Sequence, residues 1–186
     1  MDYNLSERQN GKLRGVGRKE SLEKIIHWSG ARISEADKQN LLTAKNKMYL
    51  ELIDHMTPAE VFDGFLTFNK RAKDAGLKVA VGSSSKNAIR IIDKLDLVLE
   101  FHAIVDGSMT DKSKPEPDIF LLAAEKLRVK PEECLVIEDA QAGLTAAKKA
   151  GMTSAYFGHE KGLKGPKKTI TSWQEANIED FKALLA

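Results

Sequence analysis

Cysteine is nearly absent: Cys134 is the single thiol among the 186 residues. No internal disulfide can form within the chain, so the fold must rest on its packed core. Cys134 itself opens an apolar run and is expected to be a buried core residue. Long apolar stretches are missing too. Nothing approaches the roughly 20 residues of a membrane-spanning helix, and no signal-like hydrophobic segment is visible. A cytoplasmic protein with no membrane partner is therefore expected. Nor does one sign of charge dominate. Lys+Arg 29 against Asp+Glu 27 gives a net charge of +2, which argues against nucleic acid as the main partner. The histidines His27, His55, His102 and His159 show no metal-ligand spacing. No internal repeat and no low-complexity tract appears. No apolar face is evident enough to argue for a dimer, so a monomer is expected.

What is present describes a globular chain, 42% hydrophobic and 30% charged, long enough for one substantial core and a smaller lobe. The first part reads as helical. Ser21, Leu22, Ile25, Ile26 and Trp28 fall at roughly helical spacing, with Gly30 as a stop. Ser34, with Asp37 three residues on, starts a second helix. Leu41, Leu42, Met48, Tyr49, Leu52 and Ile53 supply the apolar side of that helix. Thr57-Pro58-Ala59-Glu60 is a further start signal, with a cap, an early proline and an acid. We place a boundary there, giving a helical lobe over 1–60 and a second unit over 61–186.

From residue 61 helix and strand alternate. Phe62 to Ala75 is predicted as an amphipathic helix ended by Gly76. Helices are also expected over Asn87–Leu95, Asp118–Leu127, Ala140–Ala150 and Ile178–Leu185. Strands are expected at Leu77–Val81, Ala103–Val105, Cys134–Ile137 and Ser154–Phe157. This alternation specifies an α/β, doubly wound, mostly parallel sheet covered on both faces. Lys161, Lys164, Lys167 and Lys168, among glycines and Pro166, read as a solvated loop.

Polar clusters follow three of these strand regions, at the edge where open α/β sheets bind ligands. Gly82-Ser83-Ser84-Ser85-Lys86-Asn87 offers hydroxyls and backbone N–H groups to an anion, with Lys86 adding charge. Lys112-Ser113-Lys114-Pro115-Glu116-Pro117-Asp118 is stiffened by two prolines and carries Lys114, an ammonium suited to phosphate. Glu138-Asp139 ends an apolar strand in adjacent carboxylates, which repel unless a cation sits between them. Hard oxygen donors of this kind suit Mg²⁺. Hydroxyls, an ammonium and a metal-binding acid pair at one edge are what phosphoryl transfer requires.

GSSSKN, KSKPEPDIF and VIEDAQAG, in this order and spacing, resemble the second, third and fourth motifs of the haloacid dehalogenase superfamily. GKLRGVGRKESLEKI is similar to the start of the helical cap in the β-phosphoglucomutase branch of that superfamily. The resemblance runs over nearly the whole chain. It implies a haloacid-dehalogenase-like core with a Rossmann-like sheet and a helical cap lobe. It also implies a phosphosugar mutase activity on hexose phosphates through a hexose bisphosphate, with Mg²⁺ as cofactor. By that resemblance Ser83 and Lys114 would hold the transferring phosphoryl group, and Glu138 with Asp139 would complete the metal site. Arg18, Ser85, Lys86 and Asn87 would bind the non-transferring phosphate, with Lys45 and Ser21 as cap positions near the substrate.

One departure stands against this match. The superfamily opens with an apolar strand ending in Asp-x-Asp-Gly, whose first aspartate is phosphorylated and whose second is the acid/base. No Asp-x-Asp occurs in these 186 residues, and no apolar strand precedes Asp2. The first strand of the superfamily lies centrally, between the segments matching Leu77–Val81 and Cys134–Ile137, so its loss would leave two unpaired edges in the core. The chain is accordingly expected to be an N-terminally truncated form, inactive as written. A sugar-phosphate phosphatase and a non-catalytic phosphosugar-binding remnant remain as alternatives.

Overall fold

Local capping sets where the first helices begin. The computed structural model describes residues 3–160 and 162–185; Asp2 and Lys161, named above, lie outside them. α1 (Glu7–Gly11) opens on a reciprocal Ser6–Gln9 capping box. α2 (Arg18–Ser29) stops at Gly30, whose φ of +66° ends the helical ladder. Ser34 caps α3 (Glu35–Asp54) by accepting the Asp37 N–H at 3.1 Å. The Thr57-Pro58 signal yields a single 3₁₀ turn, Pro58–Glu60. The next helix, α4 (Phe65–Asp74), starts later than the sequence pattern suggested, because Gly64 at φ +82° interrupts the run from Phe62.

The remainder is α/β. The strands are β1 (Ala80–Gly82), β2 (Ala103–Val105), β3 (Leu135–Glu138), β4 (Thr153–Phe157) and β5 (Lys168–Ile170). Between and after them run α5 (Ala88–Lys94), α6 (Asp118–Leu127), α7 (Gln141–Lys149) and α8 (Ile178–Ala183). All pairings are parallel; helices cross over from β1 to β2 and from β3 to β4, while a loop joins β4 to β5. β5 corrects the sequence reading: Lys168 belongs to a strand rather than to a solvated loop, with Thr169 opposite Tyr156 and Ile170 opposite Phe157. Three residues with one buried side chain carry too little alternation to be recognised as a strand.

The sheet comes in two pieces, β1–β2 and β3–β4–β5, and among the described residues no ladder joins β1 to β3. Both pieces nevertheless share the same apolar layers. One cluster unites Val105 of β2 and Val136 of β3 with Ile119, Phe120 and Ala123 of α6. The other unites Ala155 of β4 and Ile170 of β5 with Phe68 of α4 and Phe181 of α8, and Val79, just before β1, packs against it. The pieces therefore lie in one layer between helices on both faces, the doubly wound arrangement expected.

The N-terminal helices are built differently. α1 and α2 bury no residue fully and α3 buries Ile53 alone. Leu41, Met48 and Leu52, predicted to supply the apolar side of α3, are 48%, 66% and 68% exposed. The helical spacing was right, but the described residues do not cover that stripe. Cys134 is likewise half-buried rather than buried, and its thiol donates to the Lys130 carbonyl.

Candidate functional site

The strand ends of β1 and β3 meet through one side chain. Lys114, nearly fully buried, donates to the Gly82 carbonyl at 3.0 Å, at the last residue of β1. It also pairs with a carboxylate oxygen of Glu138, the last residue of β3. The ammonium sits 4.6 Å from the centroid of the Phe120 ring on α6, so a cation–π contact supplements the pair. Burial pushes the Glu138 carboxyl above its ordinary range, while Lys114 pulls it back. Gly143 makes room for this carboxyl: a Cβ there would overlap the carboxyl atoms themselves. Asp139, the next residue, is exposed, and its N–H bonds the other Glu138 oxygen at 3.2 Å. Of the two adjacent carboxylates, one is thus engaged by a lysine and the other faces outward.

The serine loop is internally wired. Ser83 Oγ accepts the Ser85 N–H and Ser85 Oγ accepts the Asn87 N–H, each at 3.2 Å. Each hydroxyl uses a lone pair in this way and keeps its own proton to donate. The loop is braced from behind by Gly107, whose N–H bonds the Ser85 carbonyl at 3.1 Å. A Cβ at Gly107 would overlap the Ser84 carbonyl oxygen. Lys86 is exposed beside this loop.

The N-terminal segment lies over the same rim. Gly15, at φ +70°, brings its Cα side to Ala140, and a Cβ there would stand 3.0 Å from Ala140 Cβ. Gly17 is buried against Ser113, with Glu20 beside it. The Arg18 guanidinium donates to the Leu42 carbonyl of α3 at 3.2 Å rather than reaching the serine loop. Ser21 bonds its N–H to the Gly17 carbonyl at 2.9 Å within the first turn of α2. Lys45 is exposed, with its ammonium 5.2 Å from the Tyr49 ring centroid. Across the seam, Asn87 donates to Asn46 at 3.0 Å, and Arg90 of α5 pairs with Asp54 at the end of α3.

Ser83, Lys114, Glu138 and Asp139 are therefore gathered at one sheet edge, with Ser85 and Asn87 on the adjoining loop. Arg18, Ser21 and Lys45 stand on the helices above. Asn46, Phe120 and Gly143 were not foreseen. Gly143 sits inside the VIEDAQAG run and was legible as a position needing a small residue. Asn46 and Phe120 act across long sequence separations, and no local pattern marks them. Among the described residues no group of three or more His, Cys, Asp or Glu side chains is placed to hold a metal.

A parallel α/β sheet with donors, a buried lysine and carboxylates at its carboxyl edge is the framework of a phosphate-handling enzyme. The model of the haloacid dehalogenase-like hydrolase family matches residues 2–151, and the chain belongs to that family. Within it the likeness is to phosphosugar mutases. The chain is 37% identical over 181 residues to the β-phosphoglucomutase of Bacillus subtilis, covering 96% of this chain and 80% of that one. Its fold superposes on the crystal structure of β-phosphoglucomutase from Clostridium difficile with a TM-score of 0.91 at 31% identity, covering 99% of this chain and 83% of that one. Phosphatases are similar over shorter stretches. The fructose-1-phosphate phosphatase YqaB of Escherichia coli is 37% identical over 101 residues, 54% of this chain and 52% of that protein.

Proposed function

We propose that this chain is the phosphate-holding part of a β-phosphoglucomutase-type enzyme, which interconverts β-glucose 1-phosphate and glucose 6-phosphate through a bisphosphate with Mg²⁺. The observation that carries this reading is the Lys114 bridge from Gly82 to Glu138, which sets an ammonium beside Ser83 and next to Asp139. Ser83 and Lys114 hold the phosphoryl group being transferred. Donor hydroxyls and an ammonium in a site shielded from water stabilise charge that develops on its oxygens. Ser85, Lys86 and Asn87 bind the second phosphate from the core side, with Arg18, Ser21 and Lys45 closing over the sugar from the helices above. The outward carboxylate of Asp139 is a hard oxygen donor of the kind Mg²⁺ takes alongside water. Glu138 is engaged by Lys114 and by the Asp139 N–H, so Asp139 is the acid left to enter a coordination shell. When bound, the metal would neutralise phosphoryl oxygens.

The nucleophile is not among these 186 residues, since no Asp-x-Asp occurs in them. No ladder joins β1 to β3 among the described residues, and on this reading one further parallel strand would pair there and deliver an aspartate to the rim beside Lys114. On this reading the chain by itself binds phosphosugar without turning it over.

The test is to extend the amino terminus with an apolar strand ending in Asp-x-Asp-Gly and a helical connection. The extended protein should interconvert the two glucose phosphates with Mg²⁺, and Asp139→Asn in that background should lose most of the rate. Steady release of inorganic phosphate without interconversion would favour the phosphatase reading. That reading draws on the likeness to YqaB over about half the chain. Binding of glucose 6-phosphate with no turnover in either protein would leave a phosphosugar-binding role.

A further inference from the structure

Asn87 stands at the start of α5 but does not cap it: its side chain makes no bond to the helix's own N–H groups. An asparagine in this position ordinarily accepts one of them. Here the carboxamide is turned the other way and donates to Oδ1 of Asn46 on α3 at 3.0 Å. The backbone N–H of Asn87 is bound separately, by Ser85 Oγ, so the side-chain bond is an additional choice of the fold.

α3 and α5 are stitched in two places, and the places differ in kind. Asp54, at the last residue of α3, pairs with Arg90, and its carbonyl accepts from Lys94 at 3.4 Å. That stitch lies beside the connection into α4, so it moves little if the N-terminal helices swing about the connection. Asn46 lies more than two turns earlier, roughly 12 Å along the helix axis. A swing separates it from Asn87. One turn before Asn46, the Leu42 carbonyl holds the Arg18 guanidinium. α3 thus carries two polar contacts one turn apart, Leu42 to Arg18 of α2 and Asn46 to Asn87 of the serine loop.

We propose that Asn46 is a positioning residue, a latch that turns the Asn87 carboxamide away from its own helix toward the mouth of the loop. It thereby couples closure of the N-terminal helices to anion binding at Ser83–Asn87. The coupling rests on the reading of that loop as a phosphate site; the latch itself does not. A ligand that carries a sugar between the loop and the helices depends on Asn46. A bare anion seated on the loop alone does not.

Two measurements on the chain as it stands separate these statements. The first is amide hydrogen exchange without ligand. Asn46→Ala should speed exchange severalfold in residues 83–87 and in the connection at 55–61, and Asn46→Asp, which keeps an acceptor for Asn87, should restore protection. Unchanged exchange in Asn46→Ala would overturn the latch. The second is calorimetric titration with glucose 6-phosphate and with inorganic phosphate. Asn46→Ala should weaken glucose 6-phosphate about fivefold, the worth of one hydrogen bond, and inorganic phosphate less than about twofold. In an Asn87→Ala background the Asn46→Ala effect on glucose 6-phosphate should vanish. Equal losses on both probes, or full additivity with Asn87→Ala, would overturn the coupling. Wild-type protein that bound neither probe would overturn the phosphate reading and the coupling together, while the exchange result still judged the latch.

Discussion

α3 and α6 use their apolar residues in opposite ways. α6 has half the length of α3, yet it buries Ile119, Phe120, Ala123 and Ala124, whereas α3 buries Ile53 alone. α6 is clamped between a sheet and its neighbour α7, while α3 is anchored by Ile53 and polar stitches and exposes Leu41, Met48 and Leu52. Burial of apolar area holds one region; caps and hydrogen bonds hold the other. The α/β part therefore determines whether the chain folds. The N-terminal helices determine what sits above the rim, and a region held by few buried contacts opens at low free-energy cost.

The contrast can be broken most severely at Lys114. Lys114→Met leaves the Glu138 carboxylate buried without its partner and should cost about 4 kcal/mol of unfolding free energy in urea titrations. Glu138→Gln in the same chain should recover most of that. The pH dependence has a definite sign. Burial raises the Glu138 carboxyl in the fold while Lys114 lowers it, so removing Lys114 leaves burial unopposed and raises it further. The deficit of Lys114→Met should shrink as pH falls through that raised value and be largest at neutral pH. A deficit that grew in acid would contradict this assignment.

The comparison is sharpened by matched leucines. Leu144 of α7 is 1% exposed and Leu52 of α3 is 68% exposed. Leu144→Ala should cost about 3 kcal/mol, and Leu52→Ala within about 0.5 kcal/mol, read as midpoint shifts in the same denaturant. Equal costs would mean that α3 is covered in solution. A small effect is also expected at Glu100. The Lys73 ammonium, at 2.5 Å, holds its carboxyl below the ordinary range. A depressed carboxyl contributes stability that is present above its ordinary value and is lost as pH falls through the lowered one. Lys73→Met should therefore cost under about 1 kcal/mol at pH 7 and nothing measurable in strong acid.

Much of this was legible in the amino-acid sequence because it is local. Helix ends at Gly30, Gly76 and Gly151 lie at left-handed glycines, which the residue type announces. The span of α6, Asp118–Leu127, was read directly from its apolar spacing. The gathering of Ser83, Lys114 and Glu138 was inferred from their places after successive strands, which the topology of a parallel sheet brings to one edge. What escaped depends on partners far along the chain. β5 is defined by its register against β4, and the diversion of Asn87 by Asn46 spans 41 positions. Exposure of the α3 stripe was hidden for a different reason: periodicity says which residues share a face, and is silent on whether anything packs against it.

The split between β1 and β3 also bears on where the molecule gives way. Among the described residues, β4 is the strand flanked by ladders on both sides, while β1 is bonded to β2 alone. Solvent attack on β1 has one ladder to undo, on a three-residue strand, and across the split it is tied by the buried Lys114 contact to Gly82 and by the shared apolar clusters. Backbone amides of β1 should therefore exchange faster than those of β4.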